Sequence, residues 1–447
     1  MLTSSQRDHL LGLAASEASA TAAEGSGRGR KHGTSSSEPF DRWFRYPAGF
    51  ASDYVALLLE RLKVQPRSII LDPFTGSGVT GTAARGMGHS FYGIEAHPLI
   101  AELASLKFQP APAPVGSLTE TAQRLATLAA SQTAVAQGQL EEESELVLRC
   151  FAQPVLAQLV ALRNIIRNGE GGVWDPHVKW ALLGTLRDVA TARVGWPYQR
   201  PGQKRQPRFT DALARFCQRA TWMAEDLHRT EALSDSFYGE VTQGDARSGS
   251  SWAKIESASA HGCVSSPPYL NNFDYADATR LELYFWGEVK SWAQMCSDVR
   301  SDMLVATTQQ SSVGNARSAQ SDLKKYSTVG EEINDIASKL QGEREKRERG
   351  KEYDRVIPAY FLAIAQVLEN LSSRLVEGAP TAWLIGDSAP YGIYVDTPTL
   401  IGRLAEQFGF EVEQDRKLRA RGKRWGTNAT RHQVELSERL LLLRRRS

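Results

Sequence analysis

The stretch RSIILDPFTGSGVTG, residues 67–81, decides the fold of this chain. Its apolar run Ile69-Ile70-Leu71 predicts a short buried strand, and the sequence after it predicts a turn that leads into a helix. Three glycines, Gly76, Gly78 and Gly81, have the G-x-G-x-x-G spacing that lets a backbone approach a ligand closely. Dinucleotide binders and other nucleoside binders share this pattern, so the pattern alone does not identify the ligand.

Strands and helices alternate along the rest of the chain. Further strands are predicted in the stretches HSFYGIEAHP, FYGEVTQGDAR, HGCVSSPPY, TAWLIGDS, FEVEQDRKL and VELSERLLLLRRR. The sequence between the second and third strands is long and mostly helical. This order predicts an α/β protein with a doubly wound, Rossmann-like sheet and a large helical insertion.

Composition divides the chain into six segments. Residues 14–39 are rich in small and polar residues, and residues 296–354 are polar and charged. The predicted segments are a flexible N-terminal arm at 1–39, a first part of the α/β domain at 40–107, a helical insertion at 108–236, a second part of the domain at 237–295, a charged insertion at 296–354 and the last part of the domain at 355–447.

The overall composition excludes several classes of protein. The 447 residues carry a formal net charge of only +2, so the charge balance by itself does not indicate nucleic acid binding. No uninterrupted apolar run is long enough to span a bilayer, and the N-terminus does not have the pattern of a secretory signal. The four cysteines lack C-x-x-C spacing, which predicts reduced thiols in a cytosolic protein and no structural metal.

Three acidic residues end successive predicted strands, namely Asp72, Glu95 and Asp245. Ligands of open α/β sheets bind at the carboxyl ends of the strands. A carboxylate at Asp72, directly before the glycine loop, would repel a pyrophosphate and therefore argues against a nicotinamide oxidoreductase. S-adenosylmethionine has no phosphate and carries an ammonium and a sulfonium, so an acid at this position suits it.

A rigid loop follows the fourth predicted strand. The two prolines of Ser266-Pro267-Pro268-Tyr269 fix two φ angles, and the residue before each proline is kept out of helical space. The loop therefore presents carbonyl and hydroxyl acceptors beside an aromatic face, which suits a flat molecule that bears an amino group.

DPFTGSG followed by SPPY resembles the DNA amino-methyltransferases, which methylate N4 of cytosine or N6 of adenine. The resemblance implies S-adenosylmethionine as the cofactor, double-stranded DNA as the substrate and a catalytic role for Ser266, Pro267, Pro268 and Tyr269. It also extends to the segment WFRYPAGF and to YGIEAHP and GDA. The cofactor-binding residues implied by the resemblance are Tyr46, Pro47, Ala48, Phe50, Asp72, Phe74, Thr75, Gly76, Gly78, Glu95 and Asp245.

The family mechanism predicts how the SPPY residues would act. The Pro267 carbonyl and the Ser266 hydroxyl would accept the two hydrogens of an exocyclic amine, and Tyr269 would stack on a base flipped out of the duplex. Serine in the first position is typical of the N4-cytosine enzymes, whereas aspartate or asparagine is usual for N6-adenine. The sequence therefore favours cytosine and keeps adenine as the alternative.

Further residues are predicted to contact DNA because they follow the SPPY loop or lie in stretches that interleave basic and aromatic residues. The predicted DNA-binding residues are Asn271, Asn272, Asp274, Arg200, Lys204, Arg205, Arg421, Lys423 and Arg424. The insertion at 108–236 is the first candidate for target recognition, and the charged insertion at 296–354 is the second. The insertion at 108–236 contains no motif of the family, so the recognised DNA sequence is not predicted.

The resemblance also implies a biological setting. We expect a bacterial cytoplasmic enzyme of a restriction-modification or phage-defence system, with a restriction endonuclease as a partner. An RNA amino-methyltransferase and a catalytically inactive scaffold that binds nucleic acid are the remaining alternatives.

Overall fold

The computed structural model describes residues 37–46, 51–194, 200–231, 237–271, 274–310, 313–421 and 435–446. Seven strands form one sheet in the order β5-β2-β1-β6-β7-β9-β8, and two short strands, β3 and β4, form a separate antiparallel ribbon. The strands are β1 (Ile69–Asp72), β2 (Ser90–Glu95), β3 (Ala192–Arg193), β4 (Arg200–Lys204), β5 (Gly239–Gln243), β6 (Gly262–Ser265), β7 (Pro380–Gly386), β8 (Phe410–Arg421) and β9 (Leu436–Arg445).

Helices cover both faces of the sheet and form the insertions. They are α1 (Ser52–Arg61), α2 (Val79–Gly86), α3 (Pro98–Leu106), α4 (Gly116–Gly138), α5 (Glu145–Cys150), α6 (Gln153–Arg167), α7 (Asp175–Val189), α8 (Ala212–Glu231), α9 (Arg280–Trp286), α10 (Trp292–Asp298), α11 (Val313–Leu323), α12 (Ser327–Glu345), α13 (Tyr353–Arg374) and α14 (Thr397–Glu406).

The sheet confirms the expected doubly wound α/β fold. The strands β5, β2, β1, β6 and β7 are parallel, and β9 lies antiparallel between β7 and β8. The strand β1 pairs with β2 on one side and with β6 on the other, so the strand order reverses at β1. In a sheet of this kind, the crevice outside the carboxyl ends of the strands at the reversal point is where ligands bind.

Between β2 and β5 the chain forms a helical layer with a core of its own, to which the first described residues are anchored. The Asp226 carboxylate of α8 accepts hydrogen bonds from the Phe40 backbone N–H, at 2.8 Å, and from the Trp43 indole, at 3.0 Å. It also forms an ion pair with Arg42, at 2.6 Å. These contacts hold the segment before α1, which contains Tyr46, against the helical layer.

The helix α13 is the main apolar helix on the other side of the sheet. Within the described ranges it is the one helix with the length and composition of a membrane span, although no such run was expected from the sequence. Its most apolar window is 67% buried, as in a core helix, because the Tyr360, Phe361 and Ile364 side chains are fully covered. The helices α11 and α12 of the charged stretch belong to the same apolar cluster as α13.

Candidate functional site

A cavity lies at the carboxyl ends of β1, β2, β5 and β6, with an empty volume of about 870 Å³ that includes its open mouth. Most of the residues predicted to bind a cofactor lie around it, together with two residues of the SPPY loop. The predicted residues in its lining are Tyr46, Asp72, Phe74, Thr75, Gly76, Glu95, Asp245, Ser266 and Pro268.

The other predicted cofactor and catalytic residues lie nearby or outside the described ranges. Gly78 follows the lining residue Ser77 and precedes α2, and Pro267 and Tyr269 belong to the SPPY loop without lining the cavity. Pro47, Ala48 and Phe50 lie outside the described residues.

The glycine loop, residues 73–78, turns sharply between β1 and α2. Gly76 and Gly78 have φ angles of +52° and +86°, which glycine adopts without steric cost. The loop is fixed from below by the Thr75 N–H, which donates to the Ile94 carbonyl at 3.0 Å, and by the buried Lys107 ammonium, which donates to the Ser77 carbonyl at 2.5 Å. These contacts hold the loop in place from the adjacent strand and helix.

Two hydroxyl groups of the glycine loop have no protein partner. The Thr75 and Ser77 side chains are buried, and their oxygens form no hydrogen bond within the described part of the chain. Both residues line the cavity. A buried hydroxyl that is left unpaired costs free energy, and the Thr75 oxygen lies against Gly93 of β2, under the loop.

The Asp72 carboxylate joins the glycine loop to the SPPY loop. One oxygen accepts from the Ser265 hydroxyl at 2.6 Å and from the Phe74 N–H at 3.0 Å, and the other accepts from the Thr80 hydroxyl at 2.6 Å. Burial raises the pKa of Asp72 to about 6, and these three donors oppose that rise. The carboxylate is therefore a structural link as well as a negative charge at the cavity wall.

Glu95 ends β2 on the floor of the cavity. One of its oxygens accepts from the Gly76 N–H and the other from the His97 N–H, both at 2.8 Å. Burial raises the pKa of this carboxyl to about 7. Each oxygen keeps a lone pair, so the ionised group can accept further hydrogen bonds from a ligand hydroxyl.

Asp245 lies after β5 and is paired with a basic side chain that the sequence analysis did not single out. The Arg247 guanidinium forms an ion pair with Asp245 at 2.7 Å, and both residues line the cavity. The Asp245 oxygens retain acceptor capacity beyond this pair.

Ser266 begins the SPPY loop at the end of β6. Its hydroxyl donates to the Leu384 carbonyl of β7 at 3.2 Å. Because the hydroxyl proton is used in this bond, the oxygen lone pairs are directed elsewhere and can act as acceptors. The loop is also tied down by the Tyr269 N–H, which donates to the Tyr275 hydroxyl at 3.1 Å.

Part of the cavity wall comes from a segment that the sequence did not connect with the site. Asp302, Met303, Leu304 and Gln310, after α10, line the cavity beside Val367 of α13. No local motif marks these residues. The signal that links them to the site is tertiary, since the Asn271 N–H donates to the Ala306 carbonyl at 2.7 Å.

The residues predicted to follow the SPPY loop into a base pocket have distinct environments. Asn271 has a φ of +55°, and both polar atoms of its amide are buried without a partner in the described structure. The Asp274 carboxylate forms a buried ion pair with Arg300. Asn272 lies outside the described residues.

The predicted basic contacts to DNA that the structure describes lie on β4, directly after it, and at the end of β8. Lys204 is exposed and donates to the Arg149 carbonyl at 3.1 Å, whereas the half-buried Arg205 guanidinium donates to the Ala190 and Arg187 carbonyls. The Arg421 guanidinium lies over the Tyr269 ring, 4.9 Å from its centroid. The side chain of Arg200, together with Lys423 and Arg424, lies outside the described part of the chain. No cluster of three or more metal-ligating side chains occurs among the described residues.

The chain is similar to known methyltransferases in sequence. The sequence profile described as "DNA methylase" matches residues 24–106. The Type II methyltransferase M.AvaI of Nostoc sp. is 24% identical over 418 residues, which cover 85% of this chain and 80% of that protein. The Type II methyltransferase M.BsoBI of Geobacillus stearothermophilus is 20% identical over 424 residues, with coverage of 83% and 78%. Among solved structures, the rRNA methyltransferase aviRa of Streptomyces viridochromogenes aligns over 89% of this chain and 85% of its own, with 12% identity and a TM-score of 0.28.

Proposed function

We propose that the chain is a DNA amino-methyltransferase, as its similarity to the DNA methylase profile and to Type II methyltransferases supports, and that it methylates N4 of cytosine in double-stranded DNA. The observation that carries this proposal is the position of Ser266 and Pro268 at the rim of a cavity that is also lined by Asp72, Glu95 and Asp245. A loop of hydrogen-bond acceptors thus borders a site whose acidic residues end neighbouring strands.

S-adenosyl-L-methionine is the methyl donor of this family, and when bound it supplies an electrophilic methyl group on a sulfonium. The residues present fit such a ligand, because the cavity is lined by the carboxylates of Asp72, Glu95 and Asp245 and by the glycine loop. We propose that Glu95 accepts hydrogen bonds from the ribose hydroxyls and that Asp245 accepts one from the adenine amino group. The negative charge of Asp72 would favour the cationic end of the ligand.

Ser266 and Pro267 would activate the target amine. An exocyclic amine on a base is a poor nucleophile because its lone pair is delocalised into the ring. Acceptors placed at its two hydrogens favour a tetrahedral nitrogen whose lone pair is free to attack a methyl group. The Ser266 hydroxyl suits this role because its own proton is donated to the Leu384 carbonyl, at 3.2 Å.

Access to the amine requires a base that has left the stack. Enzymes that act on the exocyclic groups of a duplex flip the target nucleotide out, and the flipped base is held by stacking and by hydrogen bonds to its edge. Tyr269 is the aromatic residue of the SPPY loop and is proposed to provide the stacking face. The Asn271 amide is proposed to face the edge of the flipped base, because hydrogen bonds to that base would satisfy its buried polar atoms.

The choice of cytosine rests on Ser266. The neutral Ser266 hydroxyl can donate to the nearby Leu384 carbonyl. The carboxylate of an aspartate at position 266 would be repelled by that carbonyl oxygen. N6-adenine methylation remains the alternative, with the same cofactor site and the same chemistry.

The proposal is tested by mass spectrometry of nucleosides from unmethylated genomic DNA after incubation with the protein and S-adenosylmethionine. We expect 4-methylcytosine, which Ser266→Ala should form about 100-fold more slowly than the wild-type protein. A 6-methyladenine product would overturn the choice of base. Methylated nucleosides that appear only in a parallel sample of total RNA would overturn the DNA substrate. Tight cofactor binding without transfer to any nucleic acid would favour a scaffold.

We further propose that the methylated site is protected from a companion restriction endonuclease in a bacterial cytoplasm, as part of a restriction-modification system that serves in phage defence. The Type II names of the relatives support this setting. Plasmid recovered from cells that express the protein should resist one restriction specificity to which control plasmid is sensitive. Sensitivity of both plasmids to a full panel of endonucleases would contradict it.

A further inference from the structure

The hydroxyl of Tyr269 is held by a residue from the far end of the sheet. It donates a hydrogen bond to a Glu438 carboxylate oxygen at 2.8 Å, although the two residues are 169 positions apart. Glu438 lies on β9, which together with β8 forms the C-terminal hairpin of the sheet, residues 410–421 and 436–445. The C-terminal hairpin therefore stabilises the position of the SPPY loop.

The Glu438 carboxylate is itself fixed on the other side. Only 5% of Glu438 is exposed, and one of its oxygens accepts from the Arg419 guanidinium of β8 at 2.8 Å. In the sheet, Glu438 pairs with Gly386 of β7 and with Arg419 of β8. The ion pair with Arg419 orients the carboxylate, so its hydrogen bond to Tyr269 is directional.

The ring of Tyr269 is confined as well as its hydroxyl. The Arg421 guanidinium lies 4.9 Å from the ring centroid and donates to the Asp387 carbonyl at 2.8 Å, so it covers one face of the ring. A Cβ atom at Gly386 would lie only 2.8 Å from Cδ2 of Tyr269, so this β7 position has room for the ring only because it is glycine. The ring is therefore held on one face by Arg421 and at one edge by the β7 backbone.

We propose that Glu438 is a positioning residue for methyl transfer, which sets the orientation of the Tyr269 ring against the flipped base. This inference rests on the proposed function and adds a residue that no motif of the family marks in this chain. The carboxylate also increases the electron density of the phenol ring through the hydrogen bond. An electron-rich ring stabilises the positive charge that develops on the amine nitrogen as the methyl group is transferred.

The arrangement favours a neutral phenol in the folded protein. Burial raises the pKa of Tyr269 well above its ordinary value, and the charge of Glu438 raises it further, while Arg421 opposes the rise. Tyr269 therefore remains a hydrogen-bond donor to Glu438 throughout the range in which the enzyme would work.

Three variants test this role by their kinetics. Glu438→Gln is expected to lower kcat about tenfold, because a charge-assisted hydrogen bond becomes a neutral one, and to leave the KM for S-adenosylmethionine within about twofold. Tyr269→Phe removes the same hydrogen bond from the other side and should lower kcat by a similar factor. If Glu438 acts through the phenol, the double variant is no slower than Tyr269→Phe.

Glu435→Gln is the matched control. Glu435 lies just before β9 and pairs with Lys417 across the same hairpin, but this ion pair is exposed. We expect its kcat to stay within about twofold of the wild-type value, since exposed pairs contribute little. Thermal unfolding of all variants separates a loss of fold from a loss of rate.

An activity-independent readout uses tyrosine labelled with ¹³C at Cζ, with the Tyr269 signal assigned by its loss in Tyr269→Phe. We expect Glu438→Gln to shift this signal and Glu435→Gln to leave it in place. A wild-type protein that methylates no DNA would overturn the proposed function. Wild-type methylation with an equally fast Glu438→Gln variant, or multiplicative losses of kcat in the double variant, would overturn the role of Glu438 alone.

Discussion

The glycine loop and the SPPY loop border the same cavity, but the contacts that hold them differ in how far apart the partners lie along the chain. The Gly76 N–H is bound by Glu95, 19 residues away, on the next strand. The Tyr269 hydroxyl is bound by Glu438, 169 residues away, on the second-last strand of the sheet order. The difference teaches that the glycine loop is held by the strand and helix that follow it in the chain, whereas the Tyr269 hydroxyl is held by the C-terminal hairpin.

Asp72 is the residue where the two loops meet, so its removal is expected to have the largest effect. Asp72→Ala leaves the Ser265 hydroxyl and the Phe74 N–H without this acceptor in a buried site, and the Thr80 hydroxyl keeps only its longer contact to the Val264 carbonyl, at 3.3 Å. We expect the free energy of unfolding, from urea denaturation, to fall by about 3–5 kcal/mol.

Asp72→Asn is the control for this change. Its amide oxygen can keep two of the donors, and its amide nitrogen can donate to the Thr80 oxygen, so a loss of about 1 kcal/mol or less is expected. If Asp72→Ala were as stable as the wild-type protein, the two loops would not be coupled through this carboxylate.

Tyr269→Ala is expected to separate the two sites kinetically. Loss of the stacking face should lower kcat about 100-fold, which corresponds to about 3 kcal/mol, the upper end for base–aromatic stacking. The dissociation constant for S-adenosylmethionine should change less than about twofold, since no contact of the glycine loop is lost.

The exposed Tyr238, which lies just before β5 and so at the opposite end of that strand from the cavity, offers a matched control. Tyr238→Ala should leave kcat unchanged. A Tyr269→Ala variant that lost cofactor affinity and kept its rate would reverse the assignment of the two loops.

A pH titration sharpens the comparison on the cofactor side. Burial raises the pKa of Glu95 to about 7 from an ordinary value of 4.5, so the free protein favours the neutral acid. Its contribution to stability is present below pH 4.5 and is lost as the pH rises through 7. Ligand hydroxyls bind the ionised form, so affinity for S-adenosylmethionine should rise at least about tenfold from pH 5 to pH 7.

Calorimetry of wild-type protein and Glu95→Gln measures this dependence. Asp72 faces the same cavity with a pKa raised to about 6, so a weaker rise at the lower end of the range should persist in Glu95→Gln. Identical pH profiles for the two proteins would show that Glu95 does not titrate against the ligand.

The sequence was sufficient for the sheet and for the acidic residues of the cavity wall because their signals are local. Asp72 and Glu95 each follow a short apolar run directly, and parallel strands bring their carboxyl ends together. Glu438 and Gln310 carry no such signal. From the sequence, Glu438 is indistinguishable from any polar residue in a strand of alternating polar and apolar residues. The pairing of β9 with β7 brings it to Tyr269.

The smallest effect is expected at a surface position that both loops leave untouched. Lys204 is exposed on β4, so a phosphate contact there would contribute electrostatic attraction to the DNA backbone and no recognition of base sequence. Lys204→Gln should lower the slope of log affinity for DNA against log salt by about one. Arg205→Gln should leave that slope unchanged, because the guanidinium donates to two backbone carbonyls; the reverse ranking would move the DNA contact to Arg205.

The most direct test of the central claim measures binding and chemistry on one pair of proteins, the wild type and Ser266→Ala. The account predicts equal affinity for S-adenosylmethionine, and a single-turnover rate of methyl transfer to DNA that falls about 100-fold in Ser266→Ala, the usual cost of one preorganised polar contact to a reacting group. Equal transfer rates would contradict it, because the hydroxyl at the rim of the cavity would then not act on the target amine.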